Sequence, residues 1–214
     1  PLPDFLSGYI EYSGKRLLKK VIAGDFSVKF GQGTAINNGI HTGLPLTATG
    51  YFPSRNDIKA YTSTDENNYF RGIAAGISAV KSDLLIFISH NRIDATIGAS
   101  DDSSEVFITR LYKTGLHNTS SALLKKDAVA ETAYGANFSL NMNHVTLGMN
   151  WSGSSLSLPI KNVLADPERI FDLSGRSMDI LSTYYTATTG RSLLFGEFSF
   201  AGKSRFALVQ GFSL

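Results

Sequence analysis

The longest stretch of this chain without a charged side chain covers residues 132–160, twenty-nine residues with no Asp, Glu, Lys or Arg. Its first half alternates between two faces, which is the period of a β-strand. One face is apolar and consists of Tyr134, Ala136, Phe138, Leu140 and Met142. The other face is small or polar and consists of Ala133, Gly135, Asn137, Ser139 and Asn141. This half therefore predicts a strand with two chemically different faces.

The same alternation restarts after Asn143 and His144. The apolar face of the second segment consists of Val145, Leu147, Met149 and Trp151, and its polar face of Thr146, Gly148, Asn150 and Ser152. The two segments therefore predict a hairpin closed by a tight turn. The polar face carries Gly, Ser, Thr and Asn, where a sheet in water would normally carry Lys and Glu. This pattern is typical of a transmembrane β-barrel, whose strands have lipid on one side and a confined polar interior on the other.

The composition is compatible with such a barrel. Charged residues make up 18% of the chain, below the roughly 25% of soluble domains, and the net charge of +2 does not indicate a nucleic-acid partner. Cysteine is absent, which excludes a disulfide framework and thiolate metal sites. The longest purely apolar run, residues 84–88, is far shorter than the about 20 residues of a helical membrane span. The first four residues lack the features of a secretion signal, and we expect a fragment or mature portion of a longer chain.

Ten strands are predicted from alternation and turn residues, most of them longer than the 5 or 6 residues usual in globular sheets. They cover residues 5–13, 17–30, 69–80, 83–97, 105–112, 129–141, 144–156, 178–188, 192–201 and 205–213. Tight turns are predicted at residues 13–15, 80–82, 141–143, 189–191 and 202–204, and long loops at 31–68, 113–128 and 153–177. A short helix is predicted within residues 119–126, capped by Asn118 or Thr119.

These features predict a single all-β domain over residues 1–214. We expect an antiparallel outer-membrane-type β-barrel of about 10–12 strands, complete or as part of a larger barrel, with the long loops on one side. A soluble lipocalin-like barrel that binds an apolar ligand is the alternative, because periodicity alone does not distinguish the inside from the outside. In the last two strands, Glu197 and Arg205 fall on the polar face, where the two could pair.

Several polar segments follow one another in a recognisable order. They are Gly24-Asp25-Phe26, Phe30-Gly31-Gln32-Gly33, the block from Tyr61 to Gly72, Gly115 to Thr119, Lys126-Asp127-Ala128 and Glu131 to Gly135. Together they resemble landmarks of a family of large bacterial envelope proteins. Members of that family carry helix-hairpin-helix repeats, similar to those of competence DNA-uptake proteins, ahead of a region that looks like an outer-membrane barrel. The resemblance covers about residues 20–140.

This resemblance implies an outer-membrane location in a Gram-negative bacterium and a link to DNA uptake or envelope assembly. The helix-hairpin-helix repeats themselves are absent from this sequence. We therefore expect the lipid bilayer and other envelope proteins as partners, and nucleic acid only through segments absent from this chain.

One cluster of polar side chains is a candidate binding site. Asp65, Glu66, Asn67, Asn68 and Arg71 bring carboxylates, amides and a guanidinium together just before a predicted strand. They could bind a cation or a polar ligand at the mouth of a barrel. The alternative is a hydrogen-bonded loop in which Arg71 pairs with Asp65 or Glu66.

The sequence gives little support for a catalytic or zinc-binding motif. The four histidines His41, His90, His117 and His144 are scattered and form no zinc-binding pair. An outer-membrane lipid hydrolase is a second alternative, with His144 and Thr146 on one face of a strand. We expect no catalytic residue, no metal and no cofactor, and a non-enzymatic role as a pore, an anchor or a subunit of an envelope complex.

Overall fold

The computed structural model describes residues 6–38, 56–63, 68–100, 103–112, 119–161, 174–202 and 205–214. These residues form one twelve-stranded sheet and one single-turn helix. The strands are β1 (Tyr9–Ser13), β2 (Leu18–Lys29), β3 (Asp57–Ala60), β4 (Phe70–Ser78), β5 (Ser82–Ile93), β6 (Ala95–Ser100), β7 (Ser103–Leu111), β8 (Val129–Asn141), β9 (Val145–Ile160), β10 (Gly175–Thr189), β11 (Ser192–Ala201) and β12 (Arg205–Ser213). The helix α1 is Ser120–Leu123, and its N-cap Thr119 accepts a hydrogen bond from the Ala122 amide at 3.2 Å.

Nine strands form a continuous path in the order β1-β2-β4-β5-β8-β9-β10-β11-β12. Each neighbouring pair along this path is antiparallel. The short β3 pairs with β2, and the hairpin of β6 and β7 touches β9 through one parallel pair, Ile108 with Ile160. The sheet is open, because no ladder among the described residues joins β1 to β12. The predicted all-β antiparallel fold is thereby confirmed.

The predicted elements agree with most of the observed ones. Strands β8, β11 and β12 have the predicted bounds, and the predicted helix with its cap is present. The prediction of one strand over residues 83–97 is wrong, because the ladder of β5 stops before Asp94. The Asp94 side chain accepts a hydrogen bond from the Asp127 amide at 2.9 Å, and its carbonyl accepts one from Tyr112 at 3.0 Å. The predicted loop 153–177 is also too long, since β9 continues to Ile160 and β10 begins at Gly175.

The connections between the strands lie at two opposite ends of the sheet. Residues 14–17, 79–81, 142–144 and 190–191 connect consecutive strands at one end, called here the short-turn end. The connections from β2 to β4, from β5 to β8 and from β9 to β10 join the strands at the opposite end, called here the long-loop end. The predicted separation of short and long connections is observed, except that β11 and β12 are joined by a short connection at the long-loop end.

The sheet curls around an interior. β2 and β11 are six strand spacings apart along the path, which would be about 29 Å in a flat sheet. The Gln32 amide, three residues beyond β2, nevertheless donates a hydrogen bond to Glu197 on β11 at 2.7 Å. Residues 27–29 of β2 pair with β3 and not with β4, and they leave the path of the wall. Lys20 of β2, Ser139 of β8 and Leu193 of β11 nevertheless line one shared cavity, so the sheet curls around an interior.

An aromatic cluster fills the interior beside β2, β4 and β5. Phe26, Phe30 and Phe87 are buried, with Ile22, Val28, Ile58, Ala74 and Ala133 packed in the same cluster. The Phe87 ring lies 5.0 Å from the Phe70 ring and 5.9 Å from the Phe30 ring. Because such rings bury large apolar areas, this cluster is a major stabilising contact between the strands and the segment that follows β2.

Five aromatic side chains lie directly opposite glycines on the neighbouring strand. The pairs are Phe87 with Gly135, Tyr184 with Gly148, Phe195 with Gly211, Tyr134 with Gly153, and Tyr185 with Gly196. In each pair a Cβ on the glycine would lie within 3 Å of the aromatic side chain. A shift of register would move a larger side chain under the ring, so these pairs fix the alignment of the strands.

Candidate functional site: the polar interior and its inserted loop

The two faces predicted for the strands point in opposite directions, with the apolar face outward. In β8, Phe138 and Leu140 are exposed, whereas Asn137 and Ser139 are buried. The same holds on the neighbouring strands. The exposed outward side chains include Ile86, Ile88, Leu147, Met149, Trp151, Leu181, Leu194, Phe198, Phe200, Phe206, Leu208 and Phe212. A soluble protein rarely exposes a continuous apolar surface of this extent.

The buried carboxylate of Glu197 is the centre of the interior. Its Oε2 accepts hydrogen bonds from the backbone amides of Gln32 at 2.7 Å and Thr34 at 3.2 Å. Its Oε1 accepts hydrogen bonds from Ser182 Oγ at 2.6 Å and Asn150 Nδ2 at 3.1 Å. Only 1% of Glu197 is exposed. The four donors compensate for burying the carboxylate away from water.

The polar network extends from Glu197 across three further side chains. Asn137 Nδ2 donates hydrogen bonds to Asn150 Oδ1 and, at 3.0 Å, to Tyr184 Oη. Asn56 Nδ2 donates to the same Tyr184 oxygen at 2.5 Å, and Asn56 Oδ1 accepts from the Gly31 amide at 2.7 Å. Glu197 of β11 and Asn56 therefore bind the backbone of one segment inside the sheet. Side chains of β8, β9 and β10 hydrogen-bond in turn to these two residues or to each other.

That backbone segment is residues 30–38, called here the inserted loop. Gly31 and Gly33 have positive φ angles of 58° and 90°, which favour glycine. A Cβ at Gly31 would lie 2.7 Å from Glu197 Oε1. The Thr34 hydroxyl is hydrogen-bonded to Ser199, and Asn38 Oδ1 accepts from the Val28 amide at 2.6 Å. The glycines therefore allow the loop to turn against the carboxylate.

A cavity of about 880 Å³ occupies the interior at the short-turn end. Its inner boundary includes Asn56, Ile58 and Tyr184, next to the network that binds the inserted loop. Its walls carry mainly polar side chains, among them Asp83, Ser139, Asn141, Thr186 and Thr188. Such a cavity has the size of a small-molecule site.

The strand register does not favour the expected pair of Glu197 and Arg205. Arg205 lies opposite Ala201, whereas Glu197 lies opposite Val209, four residues further along β12. Four residues of a strand span about 13 Å. Backbone amides of the inserted loop, which leave no signature in a sequence, bind the carboxylate of Glu197.

Only two of the five predicted site residues, Asn68 and Arg71, lie in the described part of the chain. Asp65, Glu66 and Asn67 lie outside the described residues, and Asn68 and Arg71 flank the start of β4. The proposed cluster of these five side chains therefore stays a prediction.

Arg71 forms a bidentate ion pair with Asp25 on β2. Arg71 Nε lies 2.7 Å from Asp25 Oδ1, and Arg71 Nη2 lies 3.0 Å from Oδ2. The Gly8 amide also donates to Asp25 Oδ2 at 3.0 Å, and the Leu6 carbonyl accepts from Arg71 at 3.1 Å. The guanidinium lies 5.1 Å from the centre of the Tyr69 ring, and burial raises the pKa of Tyr69. The described contacts of Arg71 join the N-terminal segment to β2 and β4.

Two of the four histidines, His90 and His144, lie in the described part of the chain, and His41 and His117 lie outside it. His90 points outward and its Nδ1 is hydrogen-bonded to Thr132 at 2.9 Å, whereas Ser89 points inward. For His144 in the turn, the described hydrogen bonds involve its backbone carbonyl and Thr188. Within the described ranges, no group of three or more His, Asp and Glu side chains could hold a metal ion. No helix in the described part of the chain has the length and hydropathy to cross a membrane.

Comparison of the chain with protein-family models, with curated proteins and with solved structures gave no match. The resemblance to envelope proteins with helix-hairpin-helix repeats therefore stays a prediction.

Proposed function

We propose that this chain is the wall of an integral outer-membrane β-barrel of a Gram-negative bacterium, without catalytic activity of its own. One observation carries the proposal: the strands expose their apolar faces outward and bury polar side chains inside. Asn137, Asn150 and Glu197 have at most 1% of their surface exposed, while Phe198 and Trp151 remain about half exposed. A surrounding apolar medium makes such an arrangement favourable.

The energetics support lipid as that medium. Transfer of a large apolar side chain out of water contributes about 1.5–3 kcal/mol, and the outward face carries more than ten of them. Tyr134 and Trp151 also pack against each other on this face, with ring centres 5.1 Å apart. Aromatic side chains are enriched where a barrel meets the membrane interface.

The alternatives receive less support. A soluble barrel for an apolar ligand needs an apolar internal cavity, but the apolar part of this interior is already filled by Phe26, Phe30 and Phe87. Most of the side chains that line the remaining cavity are polar. A lipid hydrolase needs a nucleophile activated by a base, and among the described residues no side-chain hydrogen bond connects His144 to one.

The inserted loop favours a role as an anchor, an envelope-complex subunit or a closed pore. Residues 30–38 cross the interior and are bound to β11 through Glu197 and Ser199. The cavity of about 880 Å³ ends next to this contact, so the lumen is obstructed in this conformation. The link to DNA uptake or envelope assembly rests on the sequence resemblance alone.

Fractionation of bacterial envelopes tests the membrane assignment. We expect the native protein to stay in the outer-membrane pellet after an alkaline carbonate wash, because integral barrels are held by their apolar surface and not by charge. A peripheral envelope protein in the same preparation serves as the control and should be released. Recovery of the protein in the supernatant would contradict the proposal.

A further inference from the structure

A β-bulge brings two consecutive lysines of β2 to the same cavity. In the ladder with β4, Leu18 lies opposite Ile77, and the next aligned residue of β2 is Lys20. Lys19 is therefore an extra residue on β2. In a regular strand, Lys19 and Lys20 would point to opposite faces, but both line the cavity of about 880 Å³ at the short-turn end. Bulges of this kind commonly redirect a side chain beside a functional site.

Both ammonium groups keep hydrogen-bond donors for a ligand. Lys20 Nζ donates to the Ile58 carbonyl at 3.1 Å and lies 4.0 Å from Glu11. Lys19 Nζ donates to the Lys15 carbonyl at 3.4 Å. In the described part of the chain, each of these ammonium groups makes one hydrogen bond, and an ammonium has three donors. The two lysines can therefore bind a further acceptor at the cavity.

The rest of the cavity wall is rich in neutral hydrogen-bonding groups. The hydroxyl and amide side chains described above line much of it. The wall also contains two carboxylates, and both have a partner. Asp57 lies 3.2 Å from Lys59, and Asp83 Oδ2 accepts a hydrogen bond from Asn141 at 2.6 Å. The wall therefore suits a ligand that carries hydroxyl groups as well as a negative charge.

The four short turns at this end carry charges of one sign. None of their twelve residues is acidic, and their charged residues are Lys15, Arg16, Lys81 and Arg191. All four side chains are exposed. The cavity lining includes Ser78, Asn143 and Thr188, which lie in or next to three of these turns. The whole chain has a net charge of only +2, so the positive charge is concentrated at this end, where it attracts anions toward the cavity.

We propose that this cavity binds the phosphate ester of a small hydroxylated molecule. Lys19 and Lys20 bind the phosphate, and the hydroxyl and amide groups of the wall bind the hydroxylated part. A phosphate monoester carries about −1.5 to −2 charges and three strong acceptor oxygens, which match two ammonium groups. The cavity is much larger than a phosphate group and leaves room for the organic part. This site is formed by interior side chains and does not depend on the membrane assignment.

Calorimetric titration of the full chain in an uncharged polyoxyethylene detergent tests the proposal. The probe is glycerol phosphate, and glycerol is the matched probe without the phosphate. Dihexanoyl phosphatidylglycerol carries the same chemistry in a lipid, so it distinguishes a phospholipid head group from a free phosphate ester. The test variant is Lys19→Gln/Lys20→Gln. The control variant Arg110→Gln/Arg176→Gln removes the same charge from two exposed residues that do not line the cavity.

We expect glycerol phosphate to bind the unchanged protein and the arginine variant equally, and glycerol to bind at least about tenfold more weakly. The lysine variant should bind glycerol phosphate at least about tenfold more weakly, because it loses charge-assisted hydrogen bonds. Thr186→Asp adds a negative charge to the wall and should also reduce binding of the phosphate at least about tenfold. It is the second variant in case the lysine variant does not fold, and the urea midpoint shows whether each variant folds.

Binding of phosphatidylglycerol alone, with the same dependence on the two lysines, would support the site and assign the phosphate to a lipid head group. Three results would overturn the proposal. They are no binding of either phosphate, equal binding of glycerol and glycerol phosphate, and equal affinities of the lysine and arginine variants. The carbonate wash tests the membrane assignment separately, so its failure is distinguishable from these results.

Discussion

Replacing Glu197 with leucine is expected to release the inserted loop and to lower the free energy of unfolding by about 3–5 kcal/mol. The side chain accepts four hydrogen bonds, two of them from the backbone amides of Gln32 and Thr34. Leucine would leave these buried donors without their acceptor. Urea titration measures the loss of stability, and limited proteolysis within residues 30–38 measures release of the loop.

Two variants serve as controls for this result. Glu197→Gln keeps the volume and one acceptor oxygen, so we expect about half of the destabilisation. Glu105→Gln removes an exposed carboxylate bound by Lys161 and should leave the urea midpoint nearly unchanged, because water screens an exposed ion pair. Unchanged proteolysis in Glu197→Leu would show that the carboxylate does not hold the loop.

Replacing Phe198 with lysine tests the outward face. Phe198 is 47% exposed, and the centre of its ring lies 6.4 Å from that of Phe206. If this face contacts lipid, we expect a loss of about 2–4 kcal/mol, since lysine is costly near the bilayer midplane. If the face contacts water, the same substitution should change stability by only about 0.5 kcal/mol. Reversible unfolding from lipid vesicles in urea measures the difference.

The matched control for this substitution is Leu214→Lys. Leu214 follows the last strand and is 86% exposed, so it lies at the short-turn end, where lysine costs about 0–1 kcal/mol. Equal effects of the two substitutions would argue against a membrane-embedded wall.

The strands could be predicted well because their signal is local. The bounds of β8, β11 and β12 follow from alternation within each segment. β3 was not predicted, because Asp57–Ala60 is only four residues long and is a strand through pairing with β2, some thirty positions earlier. The break at Asp94 depends on Asp127 and Tyr112, which come together only in the folded chain.

The site could be predicted less well because its contacts join distant parts of the chain. Glu197 could be assigned to the polar face, but its partner Gln32 is separated from it by 165 positions and acts through its backbone. Arg71 was expected to pair with a nearby carboxylate, and it pairs with Asp25, 46 positions earlier. Alternation assigns a residue to a face and does not identify its partner across the interior.

The most direct test of the central claim uses the only tryptophan, Trp151, which lies on the outward face and is 48% exposed. The protein is reconstituted into vesicles whose acyl chains carry bromine, and the fluorescence of Trp151 is compared with that in unbrominated vesicles. We predict blue-shifted emission that the brominated lipid quenches strongly and that aqueous iodide does not quench. Emission typical of water, quenched by iodide and unaffected by bromine, would contradict a membrane-embedded wall.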